Sequence, residues 1–253
     1  MLTYKMLLSA WLLSGILSCN DQSTEHVVKL TTDWRNRTQG VAIPSHYTIK
    51  TRELHLDSIS EESFLIPHAF QPGHHYIYVY NPAKNISIHG TTASVDVEDE
   101  YIKNLPGWFF TSAHHVVIED NKHYDISAVM QQQIRELIFV LTVTSKDFAN
   151  EIDHISASLN GVASQLDIPT GEVIGWPMSI KLDFTKNTDT TFTATTRMLG
   201  FIGETQILTC SITFNNHLPP IYKVFELHPL LEDFNADKIT PMEVSVTIIQ
   251  SYL

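Results

Sequence analysis

Met178-Ser179-Ile180-Lys181-Leu182-Asp183-Phe184 carries an apolar side chain at every second position, with Ser, Lys and Asp between. A period of two sends successive side chains to opposite faces of an extended backbone, so the stretch reads as a strand with one face in a core and one in water. The same grammar continues on both sides, at residues 138–143, 155–159, 191–196, 207–214 and 244–248, and in the first half at 47–51, 75–80, 93–97 and 116–118. Gln71-Pro72-Gly73 introduces the Tyr-rich strand and Asn81-Pro82 ends it, because proline fixes φ and offers no ladder donor. Helical signal is thin. Phe148, Ile152 and Ile155 have helical spacing for a turn or two, and residues 224–234 suit a short piece interrupted by Pro229. Strands at this spacing without alternating helices predict an all-β chain of two tandem antiparallel β-sandwiches, residues 27–127 and 128–253. The boundary falls near Ser127, where the mostly polar residues 128–133 precede a long apolar strand. No repeat of fixed period appears, which argues against solenoids and propellers.

A length of 253 residues with 43% hydrophobic and 17% charged residues is that of a folded chain and not of a disordered one. Lys and Arg number 16 against 28 Asp and Glu, a net charge of -12, so the basic footprint that a nucleic-acid partner requires is missing. Two cysteines make no disulfide framework, and no C-x-x-C pair suggests zinc. Residues 1–18 have one cation, Lys5, followed by the apolar run from Met6 to Leu13, the pattern of a secretory signal too short to span a bilayer. Its end, Ile16-Leu17-Ser18-Cys19, resembles a bacterial lipobox, which implies cleavage between Ser18 and Cys19 and a covalent lipid on Cys19. Each buried acyl methylene contributes about 0.8 kcal/mol, enough for two or three chains to anchor stably. Residues 19–26, with Asp21, Ser23 and Glu25, then form a polar tether.

The residues that could carry chemistry read as structural. Thirteen histidines include the doublets His74-His75 and His114-His115, but a doublet on a strand offers one imidazole to each face, and no metal-binding His spacing occurs. The acidic run Asp96, Glu98, Asp99, Glu100 lacks the glycine of a calcium loop and reads as a solvated strand end. Cys210 sits in an apolar alternation, where a thiol is inert packing; no nucleophile elbow or phosphate loop is present, and no catalytic residue or metal site is assigned. Tyr76, Tyr78 and Tyr80 share one strand face, and Trp34, Trp108 and Trp176 lie in loop-like contexts. Packing is the commoner use of such aromatics, and stacking on a surface glycan is the alternative.

The lipobox, then Val27-Val28-Lys29-Leu30-Thr31-Thr32-Asp33-Trp34, then Gly73-His74-His75-Tyr76-Ile77-Tyr78-Val79-Tyr80-Asn81, resembles the fimbrillin-like lipoproteins of Bacteroidales, including the FimB-type anchor subunits. Ile155 to Ala163, and Met198-Leu199-Gly200 followed by Ile207 to Phe214, resemble later parts of the same family. The resemblance implies two transthyretin-like sandwiches, a lipid anchor on the outer membrane, no enzymatic activity and no cofactor beyond the lipid. It implies a role as an anchor, accessory or tip subunit of a fimbrium, with other fimbrial subunits as partners through β-strand addition. The candidate addition segment is the C-terminal strand, with Val244, Val246 and Ile248 on one face; closure of its own sandwich is the alternative. Stalk subunits of the family lose an N-terminal strand to cleavage after arginine, here Arg35 or Arg37, whereas an anchor subunit keeps it. Asp57-Ser58-Ile59 and Asp189-Thr190-Thr191 look like the family's O-glycosylation pattern, at Ser58 and Thr190.

Overall fold

A computed structural model describes residues 27–120, 122–216 and 218–249. The signal and tether, with Ser18 and Cys19, lie outside the described residues. The strands are β1 (Val28–Asp33), β2 (Tyr47–Lys50), β3 (His55–Ile59), β4 (Ser63–Ile66), β5 (Gly73–Tyr80), β6 (Ile86–His89), β7 (Thr92–Val95), β8 (Val97–Glu98), β9 (Tyr101–Ile102) and β10 (Phe110–Ile118). They continue as β11 (Tyr124–Val129), β12 (Gln131–Gln132), β13 (Arg135–Val143), β14 (Ile152–Asp167), β15 (Val173–Lys186), β16 (Thr191–Met198), β17 (Ile207–Phe214), β18 (Ile221–Glu226) and β19 (Met242–Ile248). Two short helices, α1 (Lys146–Glu151) and α2 (His228–Leu231), complete the elements of the described residues. The chain is all-β, as its periodicity predicts.

Two apolar clusters organise the strands. In the first, sheet β11-β1-β4 and sheet β12-β10-β5-β2-β3 share a core that includes Val28, Leu30, Tyr47, Ile49, Ile77, Val79, Phe110 and Met130. In the second, β18-β17-β14-β15 and β16-β13-β19 enclose Phe139, Leu141, Leu159, Ile180, Leu208, Ile212, Val244 and Ile248. The first strand of each group runs parallel to a late one, β1 beside β11 and β13 beside β19, in a network otherwise mostly antiparallel. Between β5 and β10 the chain crosses to the second cluster: β7 pairs with β14, β9 meets β15 at Ser179↔Tyr101, and Ala93, Val95, Ile102 and Phe109 are buried there. Lys50 Nζ on β2 donates to Gly90 O, in the turn between β6 and β7, at 2.8 Å.

Strand β14 shows how local chemistry shapes the architecture. It pairs with β17 and β15 along its first half, then bulges where the register shifts between Leu159 and Val162. Gly161 sits in the bulge at φ 79, and a Cβ there would lie 2.6 Å from Thr205 O, so only glycine fits. Opposite, Pro177 falls in the irregular stretch of β15, where the ladder can spare a donor.

The helical expectations change. Ser145 caps α1 by accepting from Phe148 N at 3.3 Å, but Ile152 and Ile155 belong to β14, because pairing on both sides outweighs two turns of helical spacing. In the 224–234 stretch, β18 takes the chain to Glu226; Pro229 then sits in the first turn of α2 and opens the helix it was expected to interrupt.

The polar stretch at residues 128–133 is not an exposed linker. Gln132, Gln133 and Arg135 are all nearly inaccessible and bind the loop before β19. Arg135 donates to Thr240 O at 2.7 Å, to Asp233 O at 3.1 Å and to Phe234 O at 2.6 Å, with its guanidinium 4.9 Å above the Phe234 ring. Lys238 Nζ donates to Gln133 Oε1 and Gly171 O, both at 2.8 Å. Among the described residues no carboxylate pairs directly with this ammonium, and burial pulls its pKa down to about 8.

Two outcomes follow. Gly161→Ala should lower the unfolding free energy by about 1–3 kcal/mol in urea titration, the cost of a strained left-handed residue, with the close contact adding to it. For Lys238, the folded pKa of about 8 lies below the ordinary 10.5, so between these values the unfolded chain binds more protons and stability rises with pH. The stability difference between the native protein and Lys238→Met should shift in favour of the native protein from pH 8 to pH 10.5; a flat difference would contradict the burial of the charge.

Candidate strand-addition site

The two strands that the resemblance marks for exchange are both seated within their own chain. β1 lies between β11, parallel in the register Val28↔Tyr124 to Asp33↔Val129, and β4, antiparallel from Val28↔Ile66 to Thr31↔Ser63. Val28 and Leu30 are fully buried. Just beyond it, the Trp34 indole donates to Thr32 Oγ1 at 3.1 Å and meets the Phe110 ring edge-on at 5.6 Å. Trp34 is therefore core, not a loop platform.

Arg35 and Arg37 follow at once. Arg35, with 75% of its side chain exposed, is held by the Asp33 carboxylate, and that hydrogen bond keeps the Asp33 pKa below its ordinary value. Arg37 donates from Nε to Val41 O at 3.1 Å and from its guanidinium to Trp34 O. A cut after either arginine would sever β1 from the body and leave the facing edges of β11 and β4 without their ladder partner. Beside this segment opens a cleft of about 620 Å³, lined in part by Arg35, Arg37, Tyr47, Glu61 and Glu62. Tyr47 donates its hydroxyl to Glu61 O at 2.9 Å, and burial pushes its pKa up to about 12.

At the other end of the chain, β19 pairs in parallel with β13, Phe139↔Val244, Leu141↔Val246 and Val143↔Ile248. Val244, Val246 and Ile248 are 3%, 9% and 1% exposed, so in this state the strand closes its own sheet. Offering it to a neighbour means detaching it, at about 1.5–3 kcal/mol for each aliphatic side chain exposed. β19 is also an edge strand, with β13 on one side only.

The remaining candidates separate by burial. Tyr76 is 56% exposed, Tyr78 half-buried and Tyr80 buried in the second cluster, so the Tyr face runs from solvent into the core. Trp108 is half-buried with the Arg197 guanidinium 5.2 Å from its ring, whereas Trp176 stands 81% exposed on β15. The doublets do split between faces: His75 packs on Phe70 at 5.1 Å, and His114 bonds Ser112 Oγ at 2.9 Å with its pKa lowered by burial. The β5–β10 register, invisible in the sequence, nevertheless brings one imidazole from each doublet together. His74 Nδ1 and His115 Nε2 lie 2.9 Å apart, with ring centroids at 5.1 Å and planes within 7°, an edge-to-edge hydrogen bond in one plane.

Among the described residues no group of three or more His, Cys, Asp or Glu is placed to hold a metal. The acidic run flanks and follows β8, with Asp99 and Glu100 in the turn to β9, Asp99 at φ 56, and Glu98 3.4 Å from Lys103. Cys210 is buried, and burial raises its pKa to about 12. Ser58 is exposed at φ 61 within β3, and Thr190 is half-buried in the β15–β16 turn, where its carbonyl accepts from Val143 N at 2.8 Å. Among the described residues no helix is long and apolar enough to cross a membrane.

No protein-family model matches the chain, and no curated protein matches its sequence. Solved structures do match in fold. A candidate adhesin from Bacteroides ovatus superposes with a TM-score of 0.64 at 14% identity, covering 97% of this chain and 98% of that one. A candidate polysaccharide-binding protein from Bacteroides thetaiotaomicron gives 0.60 at 8% identity, covering 89% and 91%. The fimbrial anchor protein Mfa2 from Porphyromonas gingivalis gives 0.57 at 11% identity, covering 88% and 90%. In fold, the chain is similar to Bacteroidales adhesin candidates and to a fimbrial anchor protein, consistent with the fimbrillin-like family that its sequence resembles.

Proposed function

We propose that this chain is a subunit of a bacterial surface fimbrium, an anchor, accessory or tip component held at the outer membrane by lipid on Cys19. The observation that carries the reading is the likeness of fold, over most of both chains, to a fimbrial anchor protein and to candidate adhesins. An adhesive or fimbrial role in the cell envelope is its coarse form. In its finer form the chain joins partner subunits by β-strand addition, in which ladder hydrogen bonds supply affinity and alternate side chains supply register. It acts as a structural protein, without catalysis and without a cofactor beyond the lipid. β1 stays in place, as suits an anchor, so the mature chain begins at Cys19.

The test is purification of the native protein from its own cells in mild detergent, followed by mass spectrometry of what remains bound. Recovery of β-rich subunits in a heat-labile ladder is expected, and so is their loss on Val246→Asp in protein shown by circular dichroism to be folded. Recovery of the protein alone would overturn strand addition. Intact mass should give a diacylated or triacylated start at Cys19; a start at Asn36 or Thr38 would overturn retention of β1.

A second reading, a glycan-binding surface protein, draws on the exposure of Trp176 and Tyr76 and on the neighbour described as polysaccharide-binding. It predicts glycan-array binding that Trp176→Ala or Tyr76→Ala abolishes while the subunit ladder persists. Binding unchanged in both variants would remove these residues as its platform.

A further inference from the structure

The loop that leaves β1 and the loop that enters β19 meet at one buried side chain. Gln132 accepts from Thr38 N through Oε1 at 2.8 Å. Its Nε2, which has two protons, lies within hydrogen-bond reach of three acceptors that share them: Thr38 Oγ1 at 2.9 Å, Ile134 O at 2.8 Å and Lys238 O. Thr38 passes the chain of bonds on, its hydroxyl donating to Ile239 O. The backbone supports the same junction, with Met130 N bonded to Asp33 O at 2.8 Å and Gln132 N to Asn36 O at 3.3 Å.

We infer that Gln132 and Thr38 form a clasp that couples the seating of the first strand to the seating of the last. The spacing favours such coupling. Thr38 follows β1 after only residues 34–37, and Ile239 precedes β19 by only Thr240 and Pro241. Neither loop has slack to absorb a displaced strand. A shift of β1 withdraws Thr38, which removes one donor from Ile239 and one acceptor from Gln132 together. The hydroxyl between them accepts one bond and donates the next, and such a chain weakens as a unit when one member leaves. Gln132 is 3% exposed, so water does not replace the lost partners cheaply. Arg135, at the start of β13, holds Thr240 O and thereby fixes the other side of the loop to the strand on which β19 lies. With its Thr38 side released, the loop keeps the bonds of Arg135 and Lys238 but loses its tie to the chain that leaves β1, and β19 opens more often.

Coupling of this kind is reciprocal by thermodynamic necessity: whatever loosening of β1 does to β19, loosening of β19 does to β1. Hydrogen exchange measured by mass spectrometry on the full chain reads both directions. Thr38→Val keeps the shape and the N–H but removes the hydroxyl; exchange in β19 should rise about fivefold, the equivalent of one net hydrogen bond, while β5 is unchanged. Gln132→Met should raise exchange in β1 and β19 together. In the opposite direction Val246→Ala, which thins the packing of β19 alone, should raise exchange in β1. Unchanged β19 exchange in Thr38→Val overturns the clasp, as does an equal rise in every strand, which reports only lower global stability. Should Gln132→Met fail to fold, Thr38→Val and Val246→Ala still decide the matter.

Discussion

A sandwich built from one chain has to find partners for its first and last strands, since an open ladder edge beside a core exposes both backbone groups and apolar side chains. This protein meets that constraint twice in the same way. β1 lies parallel to β11 and β19 parallel to β13, so each group of strands is closed by a chain segment remote in sequence from its partner. Parallel neighbours cannot be joined by a tight turn, and the chain between them must travel through the rest of the unit. β1 thereby fills the gap between β11 and β4, and β19 covers the outer side of β13. Each carries a buried aliphatic face, and each leads within a few residues to the polar junction around Gln132.

Much of this architecture was legible in the sequence, for a specific reason. Where a strand has one wet face and one dry face, as from Met178 to Phe184 or from Ile207 to Phe214, polar and apolar residues alternate and the period is evident. Four-residue strands such as β4 and β6 are too short to display a period. β18 hid for another reason: its outward side chains include Tyr222 and Val224, both largely exposed, so the alternation of polarity fails although the backbone is extended. The aromatic residues likewise could be placed on faces but not at depths. Trp34 is sealed against Phe110 while Trp176 is open, a distinction that depends on what packs above each.

The junction was the least legible part. Gln131-Gln132-Gln133 is compositionally a linker, and in isolation its amides belong in water. They are buried because residues distant in sequence supply partners: Thr111 for Gln133, Thr38 for Gln132, and the carbonyls of residues 233–240 for Arg135 and Gln132. Polarity in a sequence reports the need for hydrogen bonds, not the identity of what satisfies it. The crossing of β6 to β9 onto the second cluster belongs to the same class of feature, because a short hairpin declares its own turn but not the sheet it will join.

The parallel placement of β1 also has a mechanical meaning. Tension that enters the body through residue 27 runs along the axis of β1, whose ladders to β11 and β4 lie across that direction. The rungs are then loaded in shear, all at once, instead of being peeled one after another from an end. A pull from the N-terminal side is met by the whole length of the strand, and the burial of Val28 and Leu30 adds the resistance of a core that must open in the same step.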